Sequence, residues 1–290
     1  MAEPLPTCYV NGEYLPFEAA RISPFDRGFL FGDGVYEVMP VYADRPFRFG
    51  AHTARLTRSL AAIHMQDPHT NEQWRHIFAS LLAKNGSADQ ALYWQVTRGV
   101  ERGRNQAPLP ILSHTVFVFS APLTLPSAAI REHGIACVTA PDMRWARCDI
   151  KAISLLANIL LRELATESNA AETIMLRDGN LTEGSSSAVH VVIKGELRSP
   201  EQSPGILPST TRGVVEELAA RAGISQRAMP VSEAQLRAAD EIWISSALRE
   251  ILPVTTLDGA PVGSGRPGRI WHRVYNELQQ YKRKLSGQPW

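Results

Sequence analysis

Leu56, Leu60 and Ile63 share one face of a helical repeat that runs from His52 to Ile63. A second amphipathic repeat covers residues 71–84, and Asn85-Gly86 stops it. Lys84 then stands in the last turn, where a cation suits the helix dipole. Shorter apolar runs read as strands: Val35 to Tyr42, Ala91 to Gly99, His114 to Phe119 and Ile135 to Ala140, while Glu241 to Ile251 reads as a strand leaving into a loop. Cys8 to Pro16 reads as a hairpin turning at Asn11-Gly12, and Lys194 as the tip of another. Glu172 to Gly195 reads as a strand, a turn at Asp178-Gly179-Asn180, and a second strand with Glu183 at its start. Apolar residues after Lys151 continue as a helix to Leu164. A closing helix over 270–285 carries a packing stripe of Trp271, Val274, Tyr275 and Leu278.

Ser120 to Ser127 has two prolines and little periodicity, which marks a linker. The expected organisation is therefore two domains, residues 1–120 and 131–290, joined by a linker over 121–130. A chain of 290 residues can bury such cores. The net charge of +1 provides no general field for nucleic acid or anionic membrane. No apolar run is long enough to span a bilayer, and the first residues lack an export pattern. Cys8, Cys137 and Cys148 have no metal-ligand spacing and suit a reducing, cytoplasmic setting.

The chemistry-bearing candidates are few. Only five lysines accompany twenty-five arginines, and Lys151 differs from the other four because Ala152, Ile153, Leu155, Leu156, Ile159, Leu160 and Leu161 follow it. A lysine beside buried surface loses solvation and frees its amine for Schiff-base chemistry, although one that merely snorkels at a helix start is common. Glu183 lies among Gly184 and three serines, where a carboxylate can be aimed at a ligand. Gly32-Asp-Gly34 lacks the third glycine and the strand–helix setting of a dinucleotide loop. Ser185 to Ser187 with His190 lack the glycine spacing of a hydrolase elbow, and His190 on an apolar strand reads as a core group. Thr210 and Thr211 enter a helix, where hydroxyls and free N–H groups suit phosphate or simply cap the turn.

Asp149-Ile-Lys151 with Leu155-Leu156, then Thr182-Glu183-Gly-Ser-Ser-Ser187, resemble the fold-type-IV pyridoxal-phosphate (PLP) enzymes, and within them the D-amino-acid transaminases. Asp26-Arg-Gly28 and Phe31-Gly-Asp-Gly-Val-Tyr-Glu-Val38 match that family's N-terminal signature, and the resemblance covers about residues 8–285. It implies a smaller N-terminal α/β domain, a larger domain with a barrel-like sheet, PLP as coenzyme and a homodimer. Lys151 would bond the coenzyme and move the Cα proton. Glu183 would face the pyridine nitrogen. Arg55, Thr210, Thr211 and Ser246 would hold the phosphate, and Tyr36 would line the substrate side. Relatives often place a carboxylate-holding arginine and a histidine where this chain has Gly103 and Asn105, so Arg102 or Arg104 takes the arginine's role and the histidine has no counterpart. Ala188, His190 and Ala247 replace the family's usual asparagine, phenylalanine and threonine. The implied reaction is a ping-pong transfer of an amino group from a D-amino acid of the alanine or glutamate type to a 2-oxo acid. The alternatives are a branched-chain L-amino-acid or (R)-amine transaminase, an aminodeoxychorismate lyase, and a binding protein without chemistry.

Overall fold

The computed structural model describes residues 2–86, 89–109 and 112–285. Two compact units emerge: residues 2–124 with Ile150–Leu155, and Leu125–Asp149 with Leu156–Leu285. Ile150–Leu155, with Lys151 in it, thus groups with the first unit although it lies inside the 131–290 stretch.

In the first unit, β1 (Thr7–Val10) and β2 (Glu13–Pro16) form the expected hairpin. Asn11 and Gly12 both take positive φ, as a two-residue turn between right-twisted strands requires. The short helix α1 (Arg27–Phe31) is capped by the Asp26 carboxylate and stopped by Gly32 at φ 67°. β3 (Gly34–Tyr42), β4 (Arg45–Pro46), β5 (Gln90–Thr97) and β6 (Thr115–Pro122) complete an antiparallel sheet in the order β2-β1-β6-β5-β3-β4. β6 takes in Ser120 to Pro122, so the expected linker is shorter than its sequence suggests.

Two helices complete this unit: α2 (Phe49–Ala62) and α3 (Asn71–Asn85). Thr70 and Gln73 form a reciprocal capping box at the start of α3, and Gly86 ends it in the left-handed region. Leu56 and Leu60 of α2 join Trp74, Phe78 and Trp94 in the core. The same buried face of α2 also carries His52, Arg55 and Ser59. Burying polar groups this way is costly without partners, and each partner is described below.

The second unit contains α4 (Ala128–His133), β7 (Ile135–Pro141), α5 (Leu156–Glu167), β8 (Glu172–Arg177), β9 (Asn180–Gly184), β10 (Ala188–Ile193) and β11 (Glu196–Ser199). It continues with α6 (Thr210–Arg221), β12 (Gln226–Ala228), α7 (Glu233–Arg237), β13 (Glu241–Ser246), β14 (Glu250–Leu257), β15 (Ala260–Pro261) and α8 (Arg269–Arg283). Its sheet runs β12-β11-β10-β13-β14-β7-β8-β9, with β15 on β14, and curls into a half-barrel. Val189, Val191, Ile242, Ile244, Leu252 and Val254 fill the core through alternate positions of adjacent strands.

Two expectations change here. The strand expected to begin at Glu183 is two strands: Glu183 lies near the end of β9, and the serine turn separates it from β10. The apolar run after Lys151 is not buried throughout. Leu156 is 71% and Ile159 58% exposed, and Leu160 and Leu164 are exposed too. Only Leu161 and Ala165 of α5 are buried; Leu161 packs with Ala140 and Met175.

Candidate functional site

In the first unit, backbone bonds fix Lys151. Its N–H donates to Ser59 Oγ at 3.2 Å, and its carbonyl accepts from Tyr36 N–H at 3.0 Å. Ile153 N–H donates to the Gly34 carbonyl at 3.1 Å, and Val35 bridges Ala152. The segment thereby lies along the start of β3. This close approach requires a glycine at 34, where a Cβ would stand 2.7 Å from the Val96 carbonyl oxygen. The Lys151 Nζ sits 4.2 Å from the centroid of the Tyr36 ring. Tyr36 in turn stacks on Tyr93 at 5.6 Å. A primary amine is thus held over an aromatic face, where the ring quadrupole attracts its cation. These contacts of Lys151 come from β3 and α2.

The next residue of β3 after Tyr36, Glu37, is fully buried. Arg55 grips its carboxylate with two parallel bonds, Nε at 2.6 Å and Nη2 at 2.7 Å. His52 Nδ1 is 2.8 Å from the same carboxylate. Burial raises the Glu37 carboxyl, but the charge and hydrogen bonds of Arg55, with His52, outweigh it and hold it at about 2. Arg55 is therefore oriented by a partner on the neighbouring strand, while Arg58, one turn on, is exposed. Glu37 falls within the 31–38 signature, whereas His52 on α2 belongs to no motif, and the pairing of either with Arg55 has no signal in the sequence.

The loop after β5 is anchored by Arg27. Its guanidinium bonds Asp33 and Glu101 at 2.9 Å each and the carbonyls of Asn105 and Gln106 at 2.6 and 2.9 Å. Arg102 and Arg104 are both exposed on that loop. They differ in support: the Arg104 guanidinium lies 5.2 Å from the centroid of the Phe31 ring.

The second unit holds the acid. Glu183 is buried and accepts from Arg144 Nη1 and from Leu207 N–H at 3.2 Å. Asp142 holds Arg144 in place with bonds of 2.9 and 2.8 Å and also accepts from Thr182 Oγ1 at 2.9 Å. Burial pushes the Glu183 carboxyl up, and Arg144 with the Leu207 N–H pull it partly back. Arg144 and Asp142 are the residues that sequence reasoning missed. Thr210 and Thr211 open α6, but its cap is Ser209, whose Oγ accepts from Arg212 N–H at 3.1 Å. Arg212 bonds Glu216 and the Pro200 carbonyl, as a structural arginine does. Ser246 ends β13 and pairs with Glu250.

His190 is a core group. Its two ring nitrogens bond Ser199 Oγ at 3.0 Å and Ser245 Oγ at 2.9 Å. Burial, then the charge of Arg212, lowers it to about 3. Below the ordinary histidine value of 6.5, the unfolded chain takes a proton that the folded chain refuses. Stability is therefore lost as pH falls from about 6.5 towards 3, at up to about 1.4 kcal/mol per pH unit. His190→Phe is expected to flatten this slope by about one proton's worth. Denaturant midpoints from pH 7 to 4 read it, and an unchanged slope would remove His190 from acid sensitivity.

Among the described residues there is no cluster of three or more His, Cys, Asp or Glu side chains able to hold a metal ion. No helix among them is long and apolar enough to cross a membrane. The free cysteines Cys8, Cys137 and Cys148 are all buried.

Residues 34–257 match the family model described as amino-transferase class IV. A D-alanine aminotransferase of Bacillus licheniformis is 35% identical over 269 residues, covering 93% of this chain and 94% of that one. The branched-chain amino acid aminotransferase of Escherichia coli superposes with a TM-score of 0.90 at 24% identity, over 99% of this chain and 97% of that one. A branched-chain amino acid aminotransferase of T.th., complexed with N-(5'-phosphopyridoxyl)-L-glutamate, gives a TM-score of 0.90 at 22% identity, over the same shares.

Proposed function

Because the chain belongs to the class IV aminotransferase family, we propose that it is a PLP-dependent transaminase that moves an amino group from a D-amino acid to a 2-oxo acid. The observation that carries the coenzyme assignment is the amine of Lys151, fixed through its backbone and held over Tyr36. The donor set suits PLP. A primary amine is available for the aldehyde, and a buried carboxyl for the ring nitrogen. The first turn of a twelve-residue helix carries Thr210 and Thr211 for the phosphate. Ser246 and Arg55 add a hydroxyl and an oriented guanidinium.

Bound PLP supplies an electron sink for the pair left at Cα when its proton departs. Lys151 would take that proton as base and give it back as acid at the coenzyme's aldehyde carbon. Glu183 would face the ring nitrogen and keep it protonated. Its burial makes a cationic partner favourable, because the neutral form is otherwise promoted. Arg144 and Asp142 fix the direction of that carboxyl. Tyr36 forms the aromatic wall against which the amine stands.

D-Alanine and D-glutamate are the proposed donors, in keeping with the Bacillus licheniformis relative. A branched-chain L-transaminase shares the fold, yet Val38-Met39-Pro40 stand where that branch carries an arginine after Glu37. Parallel double-reciprocal lines with D-alanine and 2-oxoglutarate, and no turnover of L-leucine, are the expected kinetics. Turnover of L-leucine at a comparable rate would replace this reading with the branched-chain one. Arg104, supported by Phe31, is the proposed carboxylate holder. Arg104→Ala is expected to raise KM for the donor about tenfold, and Arg102→Ala by less. Equal effects would place the carboxylate elsewhere.

The proposed assembly is a homodimer in the cytoplasm. The exposed stripe of Leu156, Ile159, Leu160 and Leu164 on α5 supports an interface with a second copy. Sedimentation as a monomer at micromolar concentration would contradict it.

A further inference from the structure

One buried residue gathers the hydroxyls of all three serines at 185–187. Glu172, at the start of β8, is fully buried. Its Oε1 accepts from Ser185 Oγ and from its neighbour's N–H, that of Thr173, at 3.1 Å. Its Oε2 accepts from Ser186 Oγ at 2.9 Å, from Ser187 Oγ at 3.0 Å and from Arg249 Nη2. Arg249 also donates to Ser186 Oγ at 2.9 Å and to the Ala171 carbonyl at 3.3 Å.

A carboxylate this deeply buried persists only when its lone pairs are satisfied and its charge is matched. Here three hydroxyls and one guanidinium do so. These donors come from two turns that are far apart in sequence. One is the turn that directly follows Glu183 at the end of β9. The other follows Ser246 at the end of β13 and leads into Glu250 at φ 56°. The first turn is packed against Glu172 itself: a Cβ at Gly184 would stand 2.3 Å from Ser187 Oγ and 3.2 Å from Glu172 Cγ. Asn158 Nδ2 pins the same turn from α5 by donating to the Ser185 carbonyl at 2.8 Å.

We propose that Glu172 is a positioning residue for coenzyme binding, tying the strand end that carries Glu183 to the strand end that carries Ser246 through Ser185–Ser187 and Arg249. The inference rests on the assignment of Glu183 and Ser246 to PLP. On this view the serine triplet is a set of buried donors to one carboxylate, not a nucleophile or a phosphate cup.

The test titrates apo-protein with PLP and follows tryptophan fluorescence, which needs no turnover. Glu172→Gln keeps the size but removes the charge that Arg249 answers, and turns an acceptor into a donor facing hydroxyls. Its Kd for PLP is expected to rise about tenfold or more, the loss of a charge-assisted bond. Arg249→Met, which leaves the three serine bonds to Glu172 in place, is expected to weaken PLP as well. The double variant should weaken it by less than the product of the two, because both act through one contact. Arg249→Met also carries the test if Glu172→Gln does not fold. A wild-type Kd in a folded Glu172→Gln, or in Arg249→Met, would overturn the proposal and leave Glu172 a stability element. Failure of the wild-type protein to bind PLP would instead overturn the coenzyme reading, and this inference with it.

Discussion

Lys151→Ala is expected to reduce transamination by about 10⁴-fold or more, since the variant loses both the group that bonds the coenzyme and the base that moves the proton. The fold should survive. The segment is held by the Lys151 N–H, the Lys151 carbonyl and the Ile153 N–H, none of which the substitution removes. What is lost structurally is the approach of Nζ to the Tyr36 ring, worth about 1 kcal/mol or less at a partly exposed site. The informative result is therefore a split: activity abolished, with an unfolding midpoint near that of the wild type. Substantial remaining activity would take Lys151 out of its role. A collapse of both would mean that the loss of activity reports unfolding.

Arg55→Ala is expected to act in the opposite manner, on stability first. Glu37 would keep a fully buried carboxylate with only His52 beside it. Removing one member of a buried pair costs about 3–5 kcal/mol, because the other charge stays uncompensated. The pH dependence should then change in a specific direction. In the wild type the Glu37 carboxyl is held at about 2, below the ordinary 4.5. Its contribution is complete above 4.5 and is lost as pH falls through about 2. In Arg55→Ala that contribution is missing at neutral pH, so the variant should lose less of its remaining stability on acidification. Glu37→Gln with Arg55→Ala should recover part of the loss, as removal of both charges leaves none unpaired. Denaturant unfolding at pH 7 and pH 3.5 reads all three. A neutral-pH loss below about 1 kcal/mol would show that the pair is not a stability element.

These two residues also show what a sequence discloses. Asn11-Gly12, Asp178-Gly179 and Lys194-Gly195 were legible as turns because their φ requirements are local, and each pair has positive φ in the structure. Periodic strands such as Val35 to Tyr42 and the α2 repeat were legible for the same reason. Lys151 and Glu183 stood out through neighbours adjacent in sequence. The partners that orient the candidate groups did not. Arg144 meets Glu183 across 39 residues, and Arg249 meets Glu172 across 77. No pattern in one chain announces such pairings, because they depend on which strands lie side by side. The exposed leucines of α5 teach the converse. A run of apolar residues has no fixed destination until the helix has a face to pack, and α5 buries only Leu161 and Ala165. The division at Glu183 failed for a related reason: three serines and a glycine read as part of a strand until Glu172 is seen to gather their hydroxyls into a turn.

The most direct test of the central assignment is the visible absorption spectrum of the purified, PLP-loaded protein, mixed in parallel with D-alanine and with L-alanine. The expected result is a visible band from the lysine-bound coenzyme that disappears with D-alanine and persists with L-alanine. The same protein carrying Lys151→Ala should show no such band. Loss of the band with L-alanine alone, or no band after loading of the wild type, would contradict the assignment.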